Sequence, residues 1–81
     1  MMTFEEMLER AAEDRAEGYW DGRNANSPAP GSNRTASYRH GFECARADRR
    51  NEPAFGSAAA ARAHCDEAEL IDYPALRMVS A

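Results

Sequence analysis

Apolar residues recur along the chain at the spacing of one helix face in three stretches. Phe4, Met7, Leu8 and Ala11, followed by Gly18, Tyr19 and Gly22, form the first stripe. Thr3 with Glu6 three residues on is a capping box, Met2 and Met7 stand in the hydrophobic-staple positions, and Glu6 and Arg10 are spaced for an ion pair on the wet side. This predicts a helix over residues 3–22. The prolines, glycine and Asn/Ser residues of 24–33 suit turns and forbid helix continuation. Ser32 or Asn33 is then placed to cap a second helix over 33–50. It carries Tyr38, Gly41, Phe42 and Ala45 on one face and His40, Cys44 and Ala47 on the other, so it needs neighbours on both sides. After a break at Asn51–Gly56, Ser57 introduces an Ala-rich third helix over 57–71, with Ala58, Ala61, Cys65 and Ala68 at helical spacing, ending before Tyr73-Pro74. Residues 72–81, with Leu76, Met78 and Val79, form a tail that either docks extended or frays. The expected fold is a single all-α domain: a two-helix hairpin with a long loop, and a third C-terminal helix packed on it.

Glycine inside a helix costs about 0.5–1 kcal/mol relative to Ala, so Gly18, Gly22 and Gly41 on the inner stripes need a reason, and close approach of two helices supplies one. Each glycine lies beside a large ring in Gly-Tyr-Trp-Asp-Gly (18–22) and Tyr-Arg-His-Gly-Phe (38–42). The expectation is that rings seat against the bare backbone of the facing helix and that Tyr19 meets Phe42.

Length and composition sharpen this picture. With 81 residues there is room for one domain, and the apolar share of 43% leans on Ala, so the core should be thin and built from small side chains. No apolar run reaches the roughly 18 residues of a membrane span, and Met1–Leu8 carries carboxylates where a signal peptide would be basic and apolar. A cytoplasmic chain with two free thiols, Cys44 and Cys65, is expected. Lys is absent, which removes lysine Schiff-base and phosphate-loop chemistry. The net charge of -4 is segregated: -5 over residues 1–22, +4 over 23–51 and -3 over 52–81. Either the three segments pair with one another or the basic middle presents an anion-binding face.

Gly-Tyr-Trp-Asp-Gly, a proline-containing loop and then Tyr-Arg-His-Gly-Phe-Glu-Cys-Ala-Arg-Ala-Asp-Arg resemble the ribosome modulation factor family over about residues 11–50. The second half carries the resemblance through Tyr38, Gly41, Phe42, Ala45, Ala47, Asp48 and Arg49. It implies two helices joined by a long loop, in a small protein that binds the small ribosomal subunit and holds ribosomes inactive under stress.

Three functional expectations follow. The first is a non-enzymatic regulator that binds a ribosome or other RNA-containing particle through its basic middle, with Arg34, Arg39, Arg46, Arg49 and Arg50 as the contact residues. The second is a phage or mobile-element inhibitor, anti-CRISPR-like, that blocks a host nucleic-acid-binding complex. Its acidic helix face of Glu5, Glu6, Glu9, Glu13, Asp14 and Glu17 would imitate a row of phosphates, with Trp20 as an anchor unless that ring covers the third helix or the tail. The third is a small-molecule-modifying enzyme, ranked last because no nucleophile-and-base arrangement stands out in the sequence. His40, Cys44, His64 and Cys65 are the ligand types of a zinc site, but adjacent helix residues point about 100° apart, which works against aiming His64 and Cys65 at one ion. No metal, no cofactor and no membrane contact is expected, and a dimer is left open.

Overall fold

A computed structural model describes residues 1–78, all helix and connection, in the order α1 (Phe4–Arg23), α2 (Ala36–Arg49), a 3-10 turn (Ala54–Gly56), α3 (Ala58–Asp72) and a second 3-10 turn (Pro74–Met78). The fold is all-α, with α2 packed on α1 and α3 packed on them. Among the described residues no helix is long and apolar enough to cross a membrane.

The start of α1 follows from its capping box: Thr3 Oγ1 accepts the Glu6 N–H, and Glu6 Oε1 accepts the Thr3 N–H, both at 3.1 Å. That use of Glu6 replaces the expected ion pair with Arg10. The start of α2 departs from expectation. Its cap is Thr35, not Ser32 or Asn33, and residues 33–35 lie outside the helix. The reason is tertiary. Both Asp72 carboxylate oxygens, at the end of α3, accept the N–H groups of Ala36 and Ser37 at 2.9 Å. Thr35 Oγ1 meanwhile accepts the Tyr38 N–H at 3.1 Å and donates to Asp14 Oδ2 at 3.0 Å. Three orphan donors of the helix are thereby satisfied, one by the local cap and two by a side chain 35 or 36 residues away. At its other end α2 closes in a Schellman motif. Asn51 sits in the left-handed region (φ 56°), its N–H reaches the Asp48 carbonyl, and the Glu52 N–H reaches the Ala47 carbonyl. Ser57 caps α3 by accepting the Ala60 N–H at 3.0 Å.

Contacts between α1 and α2 rise together along both helices: Asp14 meets Thr35, Gly18 meets Tyr38, Gly22 meets Phe42, and past the end of α1 the Ser27 carbonyl meets Arg46. The loop of residues 24–35 therefore does the doubling back, and α2 advances past α1 in the same sense. The crossing is made of backbone. A Cβ on Gly22 would lie 2.6 Å from the Phe42 carbonyl oxygen, and one on Gly18 or Gly41 would lie 2.8 Å from the carbonyl carbon of Tyr38 or Arg15. Real Cβ contacts of that kind do not occur below 3.0 Å. The expected close approach is present, but the glycines admit backbone, not rings. Phe42 packs against Tyr38 (centroids 6.4 Å) and Tyr19 against Trp20 (5.9 Å), so the expected Tyr19–Phe42 ring contact is replaced by two pairs within the same helices.

The core is as thin as the composition suggests: Ala11, Ala45, Ala47 and Ala68, with Tyr38, Phe42 and Leu76 as its larger members. Phe4 and Leu8, expected on the inner stripe, stay nearly half exposed because α2 begins beside Asp14 and leaves the first turns of α1 overhanging. The expected extended or frayed tail is instead a 3-10 turn through Met78 that buries Leu76; Val79 lies outside the described residues.

Candidate functional site

The five arginines of the basic middle do not converge on an open anion site. Arg34 pairs with Glu17 at 3.3 Å and lies over the Tyr38 ring. Arg39 donates to the Gly31 carbonyl. Arg46 donates to the Ser27 carbonyl at 2.7 Å while lying over Phe42, and Arg50 bridges Glu43 and Glu52, each at 3.2 Å. Arg39 and Arg46 thus hold the loop down on α2, each satisfying a carbonyl that the turns leave open. Of these five, only Arg49 is exposed with no partner among the described residues. The charge segregation resolves partly into pairs between segments, Arg34–Glu17 and, from α1 to α3, Arg15–Glu69 at 3.5 Å.

The acidic row divides in the opposite way. Glu6 is taken by the capping box, Asp14 by Thr35 and Glu17 by Arg34, whereas Glu5, Glu9 and Glu13 are exposed and engage no described residue. At 100° per residue these three lie within about 80° of one another on α1, and Trp20 falls in the same sector. Trp20 is 70% exposed, so it covers neither α3 nor the 3-10 turn after it. Beside it, between α1 and α2, runs a groove of about 330 Å³ walled by Ala12, Ala16, Tyr19, Trp20, His40 and Cys44. Tyr19 is held at its edge by donating to Asp48 at 2.6 Å and accepting from Arg23 at 3.2 Å. On the far side of the crossing the Tyr38 hydroxyl donates to Asp21, which pushes its phenol pKa up.

The two histidines and two cysteines separate by partner. His40 Nδ1 faces His64 Nδ1 at 2.9 Å, His40 Nε2 faces Cys44 Sγ at 3.5 Å, and Arg15 donates to Cys65 Sγ at 3.2 Å. Among the described residues no group of three or more His, Cys, Asp or Glu could hold a metal. Phe55, held at φ 57°, lays its ring on His64 (4.0 Å) and His40 (5.2 Å) and closes the junction of α2 with α3. The spacing of His40 and Cys44 signals their contact in the sequence. The arrival of His64, Phe55 and Arg15 depends on how α3 docks and has no local signal.

Comparison of the chain with protein-family models, with curated proteins and with solved structures finds no match in any of the three.

Proposed function

We propose that the chain is a non-catalytic binding protein that docks the outer face of α1 on a basic surface of a partner protein, one of the kind that ordinarily holds nucleic acid. One observation carries this reading: Glu5, Glu9 and Glu13 stand exposed and unpaired among the described residues in the sector of the 70% exposed Trp20, while four of the five arginines of the loop and α2 are already engaged within the chain. Carboxylates without partners steer a cationic surface toward the helix, and a solvent-facing indole supplies the apolar anchor that charge alone lacks. The test is a pull-down from the source cell with the parent chain and with a variant carrying Glu5→Arg, Glu9→Arg and Glu13→Arg. The parent should retain a basic nucleic-acid-binding protein that salt releases, and the variant should lose it. Equal retention by both sinks the reading.

A second reading is a regulator resembling ribosome modulation factor that binds a ribonucleoprotein particle through the loop and α2. The observation favouring it is Arg49, which stays exposed at the end of the Ala-Arg-Ala-Asp-Arg run. Sedimentation with ribosomes at low salt separates the two: a chain that remains at the top of the gradient leaves only the first.

A further inference from the structure

His40 and Cys44 lie one turn apart on α2, with Cys44 Sγ 3.5 Å from His40 Nε2. The other nitrogen, Nδ1, lies 2.9 Å from His64 Nδ1 on α3. The two rings are tilted by 20° with centroids 5.1 Å apart, the separation that two imidazoles meeting edge to edge give, an arrangement that is attractive when one of the two facing nitrogens carries the proton. With that proton on His40, its Nε2 carries a lone pair aimed at the Cys44 thiol. A thiol, a base in contact with it and a third group that orients the base form the arrangement that activates nucleophiles. This one stands at the wall of the groove beside Trp20, whose lining is mostly apolar, with Arg15 and His40 among its charged or titratable members.

The groups around the pair define its resting state. His40 faces Arg15 from α1 and His64 from α3; burial first, then these two, lower its pKa and keep it a neutral imidazole at pH 7. Cys44 faces Asp48, Glu43, Cys65 and Arg15; burial and the first three push its thiol up while Arg15 opposes them. Thiolate is therefore scarce at rest, and any reaction at Cys44 near neutral pH needs its proton removed during attack.

We propose that Cys44 is a covalent acyl-acceptor site that, with His40 as base, takes an acyl group from a thioester whose apolar chain lies in the groove against Trp20. The Cys44 sulfur bonds to the acyl carbon, the donor's carbon–sulfur bond breaks, and His40 passes the thiol proton to the departing thiol. One thioester replaces another, so neither oxidant nor further reactant is required. His64 is a positioning residue, holding the His40 tautomer through the shared proton. This site shares Trp20 with the docking face proposed for α1 but does not rest on that reading.

A Cys65→Ala chain leaves Cys44 as the one thiol. It is incubated with the octanoyl or the acetyl thioester of N-acetylcysteamine, and adducts are followed by intact mass from pH 7 to pH 9. One octanoyl group should appear on Cys44, faster than acetyl, at a rate that is nearly flat with pH because the neutral imidazole is already fully present. Adding His40→Asn should slow transfer about a hundredfold at pH 7 and restore a tenfold rise per pH unit, the behaviour of an unassisted thiol. Trp20→Ala should slow octanoyl transfer more than acetyl transfer, narrowing the ratio between them. His64→Asn, which still accepts from His40, should keep the flat profile, and His64→Leu should lose it. In the His40-containing chain, which needs no variant of the relay, a tenfold rise per pH unit or equal rates for octanoyl and acetyl overturns the proposal.

Discussion

At the residue scale, the three crossing glycines show how one missing Cβ decides a helix pair. Replacing Gly41 by Ala would gain about 1 kcal/mol of helix propensity. The new Cβ would also stand 2.8 Å from the Arg15 carbonyl carbon and 3.0 Å from the Tyr19 nitrogen. Those atoms are backbone and cannot swing aside, so the helices must part or bend. Overpacking of this kind typically costs 1–3 kcal/mol and occasionally more. Gly41→Ala should therefore destabilise the chain by at least about 1 kcal/mol net, read as a lower urea midpoint with unchanged slope, whereas the same change at the solvent-facing Gly56, where φ is 92°, would report backbone strain alone. The sequence disclosed these positions because glycine in a helix interior has an intrinsic cost. It did not disclose that the facing groups are carbonyls, since a Tyr or Phe beside a glycine reads equally well as a ring seeking a notch.

Helix ends tell a similar story at the scale of elements. The starts of α1 and α3 were legible because their caps are local: Thr3 with Glu6, and Ser57 with the Ala60 N–H. The local pattern of residues 30–40 puts the start of α2 three residues too early because two of its three capped N–H groups are held by Asp72, which that pattern does not reveal. A carboxylate at a helix N-terminus is favoured both by its hydrogen bonds and by the helix dipole. Asp72→Ala should thus cost about 2 kcal/mol, and Asp72→Asn, which keeps an acceptor but loses the charge, about half of that. Thermal melts of the two variants check the order. Dependence on distant partners likewise leaves the candidate sites only partly visible in the sequence. The acidic row and Trp20 are written on one helix, while the internal capture of Arg34, Arg39 and Arg46 depends on loop carbonyls and on Glu17 of α1.

For the whole molecule, docking of α3 rests on a small number of polar links: Asp72 to α2, Arg15 to Glu69 and Cys65, and the His40–His64 pair under Phe55. The Arg15–Glu69 pair is partly exposed and weak. The burial of His40 makes the fold sensitive to acid. Since burial, His64 and Arg15 lower the His40 pKa below its ordinary 6.5, the unfolded chain binds more protons than the folded one once pH falls through that region. The stabilisation is fully present above pH 6.5 and is lost as pH falls toward the folded value. Urea melts at pH 7.5 and 5.5 should show lower stability at the acidic pH, and His40→Phe should shrink the difference; a chain equally stable at both would contradict the linkage.

The reach of Asp72 to the first turn of α2 has one more consequence. Because the last residue of α3 holds the start of α2, the Ala-rich helix cannot detach as an independent appendage. Its departure strips α2 of two caps and loosens the loop behind it. A protease acting on the native chain should therefore find no stage at which residues 58–72 are digested while the α1–α2 crossing survives intact; cleavage there should proceed at the rate of global unfolding.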